Sequence, residues 1–127
     1  MEPLRILIVD DEEELVSALR ERLALRGFEA EGVTNGSDAL ERLAREHWDV
    51  VLIDVKMPGL GGLELAGRLR KDHPSVQVVL ITGHSSVREA EEGTALGVFD
   101  YLIKPVAIEE LTRVLRAAAA AREEAGR

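Results

Sequence analysis

Three stretches of the chain are almost unbroken in apolar character: Leu4 to Val9 (LRILIV), Val50 to Ile53 (VVLI) and Val76 to Ile81 (VQVVLI). Each is rich in Val, Ile and Leu and too short for an ordinary helix, which predicts parallel strands covered on both faces. Phe28 to Val33 (FEAEGV) alternates apolar and polar residues instead, the period of an edge strand with one wet side. Val98 to Ile103 (VFDYLI) carries Asp100 inside it and suits the other edge. The runs begin roughly 22 to 26 residues apart, which leaves room for one strand and one helix in each interval.

Helical stripes fill the intervals. Leu15, Val16, Leu19 and Leu23 form the first; Ala39, Leu40, Leu43 and Ala44 the second; Leu65, Ala66 and Leu69 the third; Ile108, Leu111, Leu115 and Ala118 the last. The fourth helix, over 87–96, has only a thin stripe of Val87, Ala90 and Thr94, and Gly93 interrupts it at a cost of about 1 kcal/mol relative to Ala. Its start is better marked, because Ser86 and Glu89 have the S-x-x-E spacing of a capping box. A helix with a firm start and a poor grip is one that can shift.

Five alternating strand and helix units predict an α/β fold: an open, doubly wound, five-stranded parallel sheet with helices on both faces. The edge character of the second strand favours the flavodoxin-like order 2-1-3-4-5, whose switch point lies between strands 1 and 3. Function is then expected at the carboxyl ends of those strands.

With 127 residues there is room for one ordinary domain, taken as residues 1–122, with 123–127 as a tail or the start of a linker. Sixteen Lys and Arg against twenty-four Asp and Glu give a net charge of -8, which argues against direct nucleic-acid binding. The absence of cysteine excludes disulfides, thiolate metal sites and cysteine nucleophiles. No segment approaches the roughly 20 apolar residues of a membrane span, and the N-terminus lacks the pattern of a signal peptide, so a cytoplasmic location is expected.

The strand ends are polar throughout: Asp10 and Asp11 after strand 1, Asp54 after strand 3, Thr82 after strand 4 and Lys104 after strand 5. Three carboxylates would converge at the switch point, with a hydroxyl and an ammonium from the far side. Carboxylates that close need either raised pKa values or a cation among them, and an all-oxygen donor set suits Mg²⁺.

In Asp10-Asp11, in Asp54 of DVKMPG, in Thr82-Gly83 and in Lys104-Pro105 of DYLIKP, the chain resembles the receiver domain of two-component response regulators, with the fold of the chemotaxis regulators, from Leu4 to about Ala120. The phrases DVKMPG, TGHSSV and GVFDYLIKP are most similar to receivers of the nitrogen-regulation class. The resemblance implies that Asp54 accepts a phosphoryl group from a histidine kinase or another phosphotransfer protein, or from a small phosphodonor. It implies Mg²⁺, or Mn²⁺ in its place, ligated by Asp11, Asp54 and the Lys56 backbone carbonyl, with Asp10 acting through water. Thr82, Lys104 and Tyr101 are implied as switch residues, Gly83 as an open entrance, and Pro105 as the partner of a cis peptide. Lys56 and His84 occupy positions that tune phosphoryl lifetime in the family. The implied readout is a changed surface of helix 4, strand 5 and helix 5, presented to an output protein, a fused effector domain or a second copy of the chain. Val106 and Ala107 depart from the family pattern, and Ala107 removes a helix cap worth about 1 kcal/mol.

The competing expectation is a Mg²⁺-dependent phosphohydrolase with a transient aspartyl phosphate. Such enzymes resemble this site but carry a second acid two residues after the nucleophile, where this chain has Lys56. A flavin or nucleotide module would need a phosphate-binding loop after strand 1, and DDEEE stands there instead. The reading is therefore a phosphoacceptor and not a turnover enzyme.

Overall fold

Alternation along the strands divides the apolar residues between two cores, which is why the central strands read as continuous runs. The structure, a computed structural model, describes the backbone of residues 2–125 and, apart from His84 and residues 123–125, their side chains. The strands are β1 (Arg5–Val9), β2 (Glu29–Val33), β3 (Val50–Asp54), β4 (Gln77–Thr82) and β5 (Asp100–Ile103). The helices are α1 (Glu13–Leu25), α2 (Gly36–Arg45), α3 (Gly62–Asp72), α4 (Val87–Ala95) and α5 (Ile108–Ala125). All neighbouring strands pair in parallel, in the order β2-β1-β3-β4-β5. The predicted fold and both edge assignments are met.

On one face Ile6, Ile8, Val50, Leu52, Val79 and Ile81 pack with Val16, Leu19 and Leu23 of α1 and with Leu111, Val114, Leu115 and Ala118 of α5. On the other Leu7, Val9, Val51, Ile53, Val78 and Leu80 pack with Ala39 and Leu43 of α2, with Leu65, Ala66 and Leu69 of α3, and with Ala90 of α4. Each fully buried Leu or Ile contributes about 1.5–3 kcal/mol, so the central strands are held firmly enough to carry costly polar groups at their ends. At the opposite end of the sheet, Asp49 accepts from the Arg5 N–H at 2.8 Å and from the Arg122 guanidinium at 3.2 Å, tying α5 to the start of β3. Among the described residues no helix is long and apolar enough to cross a membrane.

Helix α4 differs from its prediction in two ways. Thr94 is exposed and Gly93 is buried, because a side chain at 93 would place its Cβ 2.5 Å from Leu80 Cδ1. Gly93 thus allows a close approach to β4 and is part of the packing face. The capping box is not formed: a 3-10 turn, His84–Ser86, runs straight into α4, with the Ser86 N–H donating to the Gly83 carbonyl at 3.1 Å. Ser86 makes no side-chain cap, and its buried Oγ has no hydrogen-bond partner among the described residues, a condition that costs about 1–3 kcal/mol. In α2 the stripe narrows to Ala39 and Leu43 at its buried centre, and Ala44 faces solvent.

Candidate functional site

The last rungs of the sheet place the polar residues. The Asp10 N–H donates to the Val33 carbonyl at 3.3 Å, the Val55 N–H to Ile81 at 3.0 Å, and the Lys104 N–H to Thr82 at 2.7 Å. Backbone pairing therefore fixes where Asp10, Asp54, Thr82 and Lys104 emerge before any side chain interacts. Gly62 completes the frame. A Cβ there would run into the Asp54 carbonyl oxygen and come within 2.7 Å of Val55 Cα, so only glycine lets the start of α3 lie against the end of β3.

Asp10, Asp54 and Thr82 are buried, Lys104 is half-buried, and Asp11 is exposed at the mouth. One carboxylate oxygen from each of Asp10, Asp11 and Asp54 lies within 4.8 Å of the other two. The Lys104 ammonium stands among them, 3.2 Å from Asp10 Oδ2 and 3.7 Å from Asp54 Oδ2. It also lies 3.6 Å from Glu12 Oε1. Glu12 is the N-cap residue of α1, and its N–H donates to Asp10 Oδ1 at 2.9 Å, so the acid run turns back over its own site.

The electrostatics follow from this crowding. Burial, and then the nearby Asp10 charge, push the Asp54 carboxyl up to about 6 against the opposing pull of Lys104 and of the Lys56 backbone N–H. Burial likewise raises Asp10, although the Glu12 N–H and Lys104 offset part of it. Burial alone would lower Lys104, but Asp10 and Asp54 outweigh it and hold the ammonium above its ordinary value. Three carboxylates sharing one lysine leave an excess of negative charge in an all-oxygen pocket, which fits a hard divalent cation.

Thr82 Oγ1 donates to the Gly83 carbonyl at 3.1 Å, and Gly83 is half-buried with open space where a side chain would be. Tyr101 is half-buried on β5 and packs against the core shared by α3 and α4. The Lys104-Pro105 peptide is cis, as the resemblance implied. Lys56 is exposed, with its Nζ 3.5 Å from Glu89 Oε1 on α4. The side chain of His84 lies outside the described residues, as do residues 126 and 127 of the expected tail. Sequence reasoning missed Glu12 and Glu89 as members of this region. Adjacency to Asp10-Asp11 was an available signal for Glu12; nothing local signalled the pairing of Glu89 with Lys56.

The chain matches the response regulator receiver domain over residues 6–116. It is 39% identical over 115 residues to the response regulator MprA of Mycolicibacterium vanbaalenii, an alignment covering 91% of this chain and 50% of that protein. It is 40% identical over 114 residues to the regulatory protein AtoC of Escherichia coli, covering 90% of this chain and 25% of that one. It thus spans about half the length of the first relative and a quarter of the second. The crystal structure of the receiver domain of NtrX from Brucella abortus superposes with a TM-score of 0.86 at 29% identity, covering 91% of this chain and 98% of that one. The family match over residues 6–116, with relatives at 39% and 40% identity and a solved receiver domain that superposes on the same fold, shows that the chain belongs to the response regulator receiver domain family.

Proposed function

We propose that this receiver takes a phosphoryl group onto the Asp54 carboxylate and passes the event to the α4-β5-α5 surface. The observation that carries the reading is the placement of Asp54, buried at the end of β3 between two further acids and one ammonium. Phosphoryl transfer needs an in-line nucleophile, positioning and charge neutralisation, with little covalent chemistry beyond that. Asp54 supplies the nucleophilic oxygen, which attacks phosphorus as the donor's histidine nitrogen or acyl oxygen departs. Lys104 already lies beside Asp54 and Asp10 and meets one phosphoryl oxygen. The Thr82 hydroxyl, bonded here only to the neighbouring Gly83 carbonyl, is free to turn and donate to another. Gly83 leaves the approach open.

Asp11, Asp54 and the Lys56 carbonyl would hold Mg²⁺ or Mn²⁺, and Asp10 would act through water. When bound, the cation neutralises charge on the phosphoryl oxygens. Lys56 and His84 tune the phosphoryl lifetime. Leu96, Phe99 and Ile103 are exposed apolar side chains on or beside α4 and β5, and they mark the face an output partner reads. With Thr82 drawn to the phosphoryl group, Tyr101 turns inward beside it and reshapes that face. The partners are a histidine kinase or phosphotransfer protein on the input side and, on the output side, a fused effector, a separate protein or a second copy of the chain. The receiver unit is residues 1–122, working in the cytoplasm without contacting nucleic acid itself. A turnover phosphohydrolase is disfavoured, because Lys56 occupies the place of its second acid and is engaged by Glu89.

Incubation with Mg²⁺ and acetyl phosphate tests the reading by intact mass. The wild type should gain one phosphoryl group, while Asp54→Ala and an EDTA-treated wild type should gain none. An adduct that persists in Asp54→Ala would place the acceptor elsewhere.

A further inference from the structure

Ser86 and Glu89 carry a strong local signal that the fold leaves unused. In a capping box the serine hydroxyl accepts the glutamate N–H, and the glutamate carboxylate accepts the serine N–H. Here the Ser86 N–H is taken by the Gly83 carbonyl, and Ser86 Oγ is buried without a partner among the described residues. The Glu89 carboxyl is held below its ordinary value first by its own backbone N–H and then by the Lys56 ammonium, 3.5 Å away. Ser86 makes no side-chain cap, and the Glu89 carboxylate is turned toward Lys56 instead.

Resting on Asp54 as the phosphoacceptor, we propose that Glu89 is a positioning residue with two mutually exclusive partners: Lys56 while Asp54 is unmodified, and the Ser86 turn of α4 once Asp54 is phosphorylated. Lys56 lies two residues beyond Asp54, and its backbone N–H already helps to hold that carboxylate. A phosphoryl group brings a doubly charged anion with three strong acceptor oxygens to this place. The lysine is a mobile point charge, and its exposed pair with Glu89 is of the weak surface kind. The anion therefore draws Lys56 away. The freed carboxylate then turns to the Ser86 N–H while the Glu89 N–H donates to Ser86 Oγ, which gives the buried hydroxyl a partner. The first turn of α4 passes from a 3-10 start to a capped start, and helix and phosphorylation site are coupled through two residues.

Hydrogen exchange over the first turn of α4, with adduct occupancy read in parallel by intact mass, tests this. In the wild type, phosphorylation should slow exchange of the amides of residues 87–89 about fivefold. Glu89→Gln keeps the capping group but loses the charge that holds Lys56, so the same amides should be protected before any phosphoryl group arrives. Lys56→Met frees the same carboxylate and should give the same early protection, while the phosphoryl lifetime of Glu89→Gln should match the wild type, in which phosphorylation has already released Lys56. Ser86→Ala should abolish the phosphorylation-dependent protection while the adduct still forms. An adduct without altered exchange in the wild type, or Glu89→Gln exchanging as wild type before phosphorylation, would overturn the proposal. A wild type that forms no adduct would instead remove the phosphoacceptor assignment on which it rests.

Discussion

Replacing Asp54 by Asn in the absence of divalent cations should stabilise the protein, and the gain should grow with pH. The carboxyl is buried beside Asp10 and pushed up to about 6, while in the unfolded chain it returns to the ordinary 3.8. Its folded pKa is raised, so between these values the folded state holds a proton that the unfolded state has lost, and stability falls as pH rises through that window. Integrated over the window, ionisation of Asp54 costs the folded state about 1 kcal/mol at about pH 4.5 and about 3 kcal/mol at about pH 8. The attraction of Lys104 and of the Lys56 N–H is already contained in the raised value, because both oppose the shift. Asn keeps the shape and an acceptor oxygen but never ionises.

Urea denaturation in EDTA, followed by circular dichroism at those two pH values, measures the effect. The advantage of Asp54→Asn over wild type should widen by about 2 kcal/mol from the acid to the alkaline condition. Mg²⁺ should then close much of the gap, since a ligand at tenfold its dissociation constant stabilises the wild type by about 1.4 kcal/mol and the variant lacks one of its carboxylates. A pH-independent gap would refute the claim that burial and Asp10 strain the Asp54 charge. A gap insensitive to Mg²⁺ would refute the cation pocket.

Two further substitutions probe the frame and the counter-charge. Gly62→Ala should destabilise the protein by about 1–3 kcal/mol in urea and slow phosphoryl uptake, because the new methyl meets the backbone of Asp54 and Val55 and must push Asp54 or α3 away. Lys104→Met should cost about 1–3 kcal/mol near neutral pH, because Asp10 and Asp54 lose their shared ammonium, and part of that loss should vanish when Asp54→Asn is added, the remainder being the share of the nearer Asp10. Additive effects in that double variant would mean that Lys104 and Asp54 do not interact.

The parts of this protein that were legible in sequence are those fixed by backbone geometry. A parallel strand covered on both faces must be apolar at every position, so LRILIV, VVLI and VQVVLI announce themselves, and a parallel sheet gathers Asp10, Asp54, Thr82 and Lys104 at one end however their side chains turn. What was not legible depends on competition between partners. Ser86-x-x-Glu89 is a sound local signal, but a lysine 33 residues away in sequence claims the carboxylate. Gly93 reads as a helix breaker because its packing against Leu80 is a tertiary fact. Glu12 reads as surface because a lysine from the far edge of the sheet comes within reach only after folding.

The same distinction decides which element can move. Helix α5 buries Leu111, Val114, Leu115, Ala118 and Ala119 against the sheet and is tied at its far end through Arg122, whereas α4 buries only Ala90 and Gly93. At about 1.5–3 kcal/mol for each buried Leu or Val, α5 lies beyond the reach of any single charge added at Asp54. The start of α4 rests on a 3-10 turn, on a buried hydroxyl without a partner among the described residues, a matter of about 1–3 kcal/mol, and on one weak exposed ion pair. A phosphoryl group changes the local charge by enough to reorder terms of that size and not the core. Transmission through α4 and the adjoining β5 therefore follows from where the protein is weakly held: a firm sheet fixes the chemistry, and the one loosely gripped helix beside it carries the response.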